Sequence, residues 1–231
     1  MKIFFPIFVT FALLTIRANG SGEKKILFVG ENLNHFLYAP GSWEIEKGGS
    51  VVCRMHETKD KKGKVRIRGM GYLWTKEEFS DFDLTLSYKL SPGANSGVFY
   101  RSDKDNPVQG GFEIQLMDNE GFQEKTKRKL TPRKLNASFY DGVAPAGDFS
   151  KPIGQWNKLR LVCKGPVVTC RLNEKLAFSV NLDDWTEPGK NPDGTTNKFK
   201  TAFKDMPRKG RIGFQNHGQV VWFRNVLVRP L

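Results

Sequence analysis

The sequence predicts an all-β protein: two antiparallel sheets packed as a sandwich or jelly roll, with minimal helix. Three observations carry this. Short segments of alternating polarity recur along the chain, turn signals separate them, and no long stretch holds the 3.6-residue apolar period of an amphipathic helix. Composition agrees. Apolar residues are 39% and aromatics 12% of 231 residues, enough for a core and too rich for a disordered chain. There is no Gly-X-Y period, no heptad and no 20-residue apolar run, which excludes collagen, coiled coil and polytopic membrane classes. One large all-β domain fits the length.

The first twenty residues read separately. Lys2 gives a positive start, Ile3 to Ile16 is nearly apolar, and Ala18-Asn19-Gly20 supplies small residues at cleavage spacing. This is the pattern of a secretory signal peptide, too short in its apolar core to span a bilayer. The expectation is an exported protein, periplasmic or extracellular, with residues 1–20 cleaved and residues 21–231 forming a single domain. The net charge of +13 falls to near +11 when Lys2 and Arg17 leave. The excess sits in Lys59 to Arg68 (KDKKGKVRIR) and Lys125 to Lys134 (KTKRKLTPRK). Neither run carries stacking aromatics, so they read as solvated loop tips rather than a nucleic-acid surface. Cys53, Cys163 and Cys170 are an odd set. Cys163 and Cys170 flank a hairpin turn diagonally, a poor geometry for a disulfide.

Asp81 to Leu90 then alternates without a fault, with Phe82, Leu84, Leu86, Tyr88 and Leu90 on one face. That is a half-buried antiparallel strand. Ser91-Pro92-Gly93 turns the chain into Asn95 to Arg101. Gly111 to Met117 buries Phe112, Ile114 and Leu116 and turns Glu113 and Gln115 away. Asn157 to Cys163, Val167 to Leu172 and Leu176 to Val180 read as a meander; Arg211 to Gln215 and Val220 to Val228 close the chain. Thr75 to Glu78 fits a capping box and predicts a single helical turn. Asp103 to Gly110, Asn119 to Asn136 and Asp184 to Pro207 are long loops, a length that often serves function.

Polar residues inside these strand patterns suggest a sugar-binding cleft. Asn95 and Arg101 share one parity, and Glu113 and Gln115 share the side away from the core. A bulge near Met117 would bring Asp118 to them. Gln215-Asn216-His217-Gly218 is a turn after a strand, and Arg224 sits inside an otherwise apolar segment. Phe99, Tyr140 or Trp222 could supply the apolar platform that sugars need beside directed hydrogen bonds. The spacing Glu113-x-Gln115-x-x-Asp118 resembles the E-x-D-x-x-E of laminarinase-type retaining β-glucanases, in which two carboxylates act as nucleophile and acid/base. Here the middle acid is an amide and the last is shortened, a departure that disfavours direct displacement.

The segments LWTKEEFSDFDLTLSYKL, GANSGVFYRS, GFEIQLMDN, APAGDFSKPIGQWNKLRLVCKGPVVTCRLNEKL and GRIGFQNHGQVVWFRNVLVRPL, in that order, together resemble one family. It is the 3-keto-disaccharide hydrolase family, also described as 3-keto-glycoside 1,2-lyase and 3-keto-2-hydroxy-glucal hydratase. The resemblance spans Ile26 to Leu231 and implies a concanavalin-like β-sandwich. It also implies elimination chemistry on a 3-keto-glycoside or 3-keto-disaccharide: a base removes the C2 hydrogen, an enolate forms toward the C3 oxygen, the C1 substituent leaves, and water adds for net hydrolysis. That route needs a base, a cation or metal for the enolate oxygen, and an acid. On this sequence His217 is the first candidate base and Glu113 the second. Arg101 or Arg224 would hold the enolate oxygen, with a divalent metal on Glu113, Asp118 and His217 as the alternative. Asn95, Gln115 and Tyr140 would contact the sugar. A partner 3-dehydrogenase is implied as the source of the keto sugar. A non-catalytic, lectin-like carbohydrate-binding module is the competing class, because fold alone does not give function.

Overall fold

A computed structural model describes residues 23, 25–28 and 30–231; the segment read as a signal peptide lies outside the described residues. Among the described residues there are fifteen strands: β1 (Lys25–Phe28), β2 (Phe36–Leu37), β3 (Trp43–Glu46), β4 (Ser50–Cys53), β5 (Met55–Lys59), β6 (Val65–Gly69), β7 (Leu73–Phe79), β8 (Phe82–Leu90), β9 (Asn95–Ser102), β10 (Phe112–Met117), β11 (Asn157–Lys164), β12 (Val167–Leu172), β13 (Lys175–Asn181), β14 (Gly210–Phe214) and β15 (Val221–Pro230). Among the described residues one α-helix, α1 (Asn119–Thr126), follows β10, and three short 3-10 turns lie in the loops. The larger sheet runs β13-β12-β11-β8-β15-β4-β3, with β1 also on β15, and the smaller runs β10-β9-β14-β7-β2. All pairings are antiparallel. The all-β, concanavalin-like sandwich expected from the sequence is the fold observed. Among the described residues no helix is long and apolar enough to cross a membrane.

Strand alternation builds the core. Phe82, Leu84, Leu86 and Tyr88 of β8 meet Val98 and Tyr100 of β9, Ile114 of β10 and Ile212 and Phe214 of β14 in one apolar cluster. Burial of such side chains contributes roughly 1.5–3 kcal/mol each relative to exposure. The residues between them face outward, so each sheet has a distinct outer surface. The long segment between β13 and β14 is held by its own aromatics. Trp185 and Phe203 stack at 5.3 Å, and Phe203 meets Phe112 edge-on at 5.4 Å.

Three local expectations are corrected and a fourth holds. Thr75 to Glu78 lies inside β7, not in a helical turn. Pairing with β14 and β2 overrides the capping box: Thr75 Oγ1 accepts from Ile212 N–H at 3.0 Å and donates to the Glu77 carbonyl at 2.7 Å, patching a bulge in the ladder. Residues 119–126, read as loop, form α1. Lys59 to Arg68 is more than a loop tip, because it contributes to the exposed hairpin β5–β6. Cys163 and Cys170 are buried free thiols; their diagonal placement, Leu161 opposite Cys170 and Cys163 opposite Val168, is the one predicted.

Candidate active site

The site grows from two glycines in the middle of strands. In β9 and β10, Glu113 pairs with Phe99 and Gln115 with Gly97. A Cβ on Gly97 would stand 2.2 Å from Glu113 Oε1, so the carboxyl lies flat across that glycine. A Cβ on Gly213 of β14 would likewise stand 2.2 Å from the Trp74 ring. Glycine within a strand marks close approach of another group, and here both approaches are on the outer face of the smaller sheet.

An aromatic platform adjoins the carboxyl. Tyr72 stacks on Phe99 at 5.4 Å, and Trp74 packs on both at 5.5 and 5.9 Å. Amides frame it: Gln115 Nε2 donates to Asn95 Oδ1 at 2.7 Å, and Gln215 Nε2 donates to Tyr72 Oη at 3.1 Å. Residues 137–140 run along the free edge of β10, with Ala137 N–H on the Gln115 carbonyl at 2.8 Å and Tyr140 N–H on the Glu113 carbonyl at 3.0 Å. Because Phe139 enters the core, Tyr140 falls on the Glu113 side. Lys198, from the β13–β14 loop, places Nζ 4.0 Å from the Tyr140 ring centroid.

Glu113 is 6% exposed, and among the described residues its carboxyl takes part in no hydrogen bond or ion pair. Burial therefore pushes it up to about 7, with the positive charge of Lys198 opposing in part. The same burial pushes Tyr140 up to about 12, helped by the Glu113 charge, and raises Tyr72. A carboxyl that exchanges its proton near neutrality, beside aromatic rings and amides, can act as general base and acid on a bound sugar.

The structure brings together Glu113, Gln115, Asn95 and Tyr140 and separates the other candidates. Arg101 shares the parity of Asn95 but has φ of 46°, a left-handed bulge that turns its side chain out of the strand pattern. Its guanidinium is fully buried and donates to the carbonyls of Ser80 and Gly165 and to Asp81 Oδ1, at 2.7, 2.8 and 2.9 Å. Asp118 meets no bulge, because β10 pairs regularly to its end. Instead it caps α1, accepting from Gly93 N–H at 2.7 Å and Gly121 N–H at 3.1 Å. His217 is exposed on the turn between β14 and β15. Arg224 and Trp222 lie on the outer face of the larger sheet, where Arg224 stacks on Trp156 at 4.0 Å. Glu113, Asp118 and His217 do not converge, and among the described residues no group of three or more His, Cys, Asp or Glu side chains fits a metal. A hollow of about 500 Å³, lined by Asp184, Glu187, Lys190 and Asp193, sits in the long loop and contains none of the site groups.

Sequence reasoning missed Tyr72, Trp74 and Lys198. Gly213 inside a strand pattern was the available signal for Trp74, since it predicts something lying flat above it; Gly97 points in the same way to Glu113, and Tyr72 had no such signal. Lys198 had none, because only the folded loop delivers it.

Residues 23–229 match the 3-keto-alpha-glucoside-1,2-lyase-like domain. The chain belongs to this family. A 3-keto-disaccharide hydrolase from Bacteroides thetaiotaomicron is 31% identical over 212 residues, covering 83% of this chain and 71% of that protein. Among solved structures, a candidate glycosyl hydrolase from Parabacteroides distasonis aligns with TM-score 0.77 at 30% identity, over 90% of this chain and all of the other. A second from that organism aligns with TM-score 0.70 at 24% identity, over 91% and 94%. As a member of the lyase-like family, the chain has the fold expected from its sequence.

Proposed function

We propose that the protein is a glycoside-acting enzyme that cleaves 3-keto-glycosides by C2–H abstraction and 1,2-elimination, followed by hydration. The observation that carries this is the Glu113 carboxyl: buried, without a hydrogen-bonded partner, and holding its proton to about pH 7. A 3-keto group acidifies the C2 hydrogen, so one base of this kind suffices. Direct displacement would need a second carboxylate about 5–10 Å away, and Asp118, the acid in that spacing, is engaged as a helix cap.

In the first step Glu113 takes the C2 proton and the C–H electron pair moves toward the C3 oxygen. The enolate then collapses: C3=O re-forms, C1=C2 forms, and the C1–O bond breaks with its electrons on the departing oxygen. The departing oxygen takes up a proton, and protonated Glu113 gives its own back to solvent, so the step balances. Water addition across C1=C2 completes net hydrolysis. Tyr72, Trp74 and Phe99 carry the ring's apolar face, while Asn95, Gln115 and Gln215 meet its hydroxyls. Glu113 replaces His217 as the base because the imidazole is exposed on its turn whereas the carboxyl sits on the platform. The reading includes export through residues 1–20, which N-terminal sequencing beginning near residue 21 would support and a start at Met1 would overturn. It also includes a separate 3-dehydrogenase that supplies the oxidised sugar.

The test offers a 3-keto-disaccharide and its unoxidised parent to the purified protein. Turnover of the keto form alone, with an enone product absorbing in the ultraviolet before free sugar appears, is the expected result. Turnover of the parent alone means ordinary hydrolysis, and binding without turnover means a lectin-like module; either overturns elimination.

A further inference from the structure

Lys198 is placed with more care than a surface lysine needs. Its backbone N–H donates to Asp141 Oδ2 at 2.8 Å, and its carbonyl accepts from Gln109 Nε2 at 3.0 Å. Two residues on, Lys200 N–H donates to Gln109 Oε1 at 2.9 Å. The backbone is thus pinned on both sides of the residue, to the segment after β9 and to the edge segment beside β10. From this fixed base the side chain reaches over Tyr140, whose own N–H is bonded to the Glu113 carbonyl. Among the described residues the half-buried ammonium has no carboxylate within 4 Å and no hydrogen-bond acceptor. Its neighbours are the Tyr140 face, Lys134, 5.8 Å from the same ring, and the charges of Glu113 and Asp141. Asp141 is already engaged, by Lys198 N–H and by Lys134 Nζ at 4.0 Å.

A cation held half-dry with its three N–H donors unused, beside an unpartnered carboxyl, is an arrangement for receiving negative charge rather than for stabilising the fold. We propose that Lys198 is the catalytic cation of this site, its ammonium donating to the C3 oxygen of a bound 3-keto pyranose and holding the charge that arrives there when Glu113 removes the C2 proton. This rests on the elimination reading above. The electrons balance within the substrate: the C2–H pair becomes C2=C3 while the carbonyl π pair becomes the oxyanion facing Nζ; then the oxyanion pair re-forms C3=O, the C2=C3 pair shifts to C1=C2, and the C1–O pair leaves on the departing oxygen. Lys198 keeps its proton throughout. Burial lowers the proton affinity of this lysine, with Glu113 and Asp141 opposing, which strengthens it as a donor. The role assigned by sequence to Arg101 or Arg224 passes to a residue in the loop.

The experiment compares wild type, Lys198→Met, Lys198→Gln and Lys198→Arg with two probes. One is a 3-keto-disaccharide, for turnover. The other is 3-keto-1,5-anhydroglucitol in deuterated water, which has no leaving group, so deuterium entering at C2 reports enolate formation alone. Removing one donor from an oxyanion costs about 10²–10³-fold. The Met and Gln variants are therefore expected to lose about that much in kcat and in C2 exchange, with KM within a few-fold and unchanged thermal unfolding, and Arg to recover part of both. Wild-type exchange in the Met or Gln variant overturns the proposal, whether or not turnover falls, and so does a loss confined to thermal stability. Absence of both exchange and elimination in wild type sinks the elimination reading itself, and Lys198 with it; loss in neither variant removes Lys198 alone.

Discussion

Asp83 and Glu113 are both nearly closed off from solvent, at 9% and 6% exposure, and both stand on the outer face of a sheet. Their proton affinities move in opposite directions. On the larger sheet Asp83 receives Arg160 through two bonds of 2.9 and 2.7 Å, and Arg229 at 3.0 Å, and these hold it below the usual carboxylate range. On the smaller sheet burial pushes Glu113 up to about 7, and the charge of Lys198 opposes this only in part. The same contrast holds for neighbours. Lys89 lies between Trp222 and Trp156, at 4.3 and 5.3 Å, and Trp222 donates to Glu46 at 2.9 Å. That face uses its charges to cover itself. Among the described residues the other face leaves a carboxyl without a hydrogen bond or ion pair and an ammonium held only over an aromatic ring, so its buried acid is desolvated without compensation.

The largest effect that could break this comparison is in turnover. Glu113→Gln should lower kcat on a 3-keto-disaccharide by about 10²-fold or more, as expected for loss of a general base; a rate near wild type would remove Glu113 from the chemistry. In the wild type, turnover should rise with pH through about 7 as the carboxylate forms. Next is Gly97→Ala. Its new methyl would meet Glu113 Oε1 and push the carboxyl aside, and a misplacement near 1 Å should cost about 10–100-fold in kcat with little change in melting temperature.

The two carboxylates also predict opposite pH dependences of stability. Glu113 is raised in the folded state. Between the unfolded pKa and about 7 the folded protein binds the extra proton, so its contribution becomes unfavourable as pH rises through that window. Glu113→Gln should therefore stabilise the protein at pH 8, by on the order of 3 kcal/mol, and do nothing at pH 3, because the carboxyl is pushed up to about 7. Asp83 is lowered in the folded state. Its contribution is present above the unfolded carboxylate pKa and is lost as pH falls through the folded value. Asp83→Asn should cost about 1–2 kcal/mol at pH 8. Urea unfolding of both variants at the two pH values checks the pair; equal signs would mean that the two faces are not different in kind. The smallest expected effect is in Arg224→Ala, where turnover should stay within about twofold because the guanidinium lies on the opposite sheet from Glu113.

The strands of the smaller sheet were legible because their alternation is local. Phe112, Ile114 and Leu116 alternate with Glu113 and Gln115, and a period of two survives any change of partner strand. Asn95, Gln115 and Glu113 were reachable by the same logic, whereas Tyr140 was named only as an aromatic able to supply a platform. Arg101 was not, because one residue in a left-handed bulge resets the parity that placed it beside Asn95, and nothing in NSGVFYR announces the bulge. Asp118 was lost in the opposite way: the bulge it needed is absent, and the backbone amides of Gly93 and Gly121 claim the carboxylate.

By itself, then, the order of polar and apolar residues determined a two-sheet antiparallel sandwich and which side chains turn away from its core, since those are consequences of a two-residue repeat. It could not say which of two outward surfaces a given strand would join, because that depends on pairings between residues far apart in the chain. Only tertiary structure put Arg224 behind the molecule, left Glu113 buried without a donor, and carried Lys198 from a long loop to the Tyr140 ring, where desolvation and proximity give both groups their chemistry.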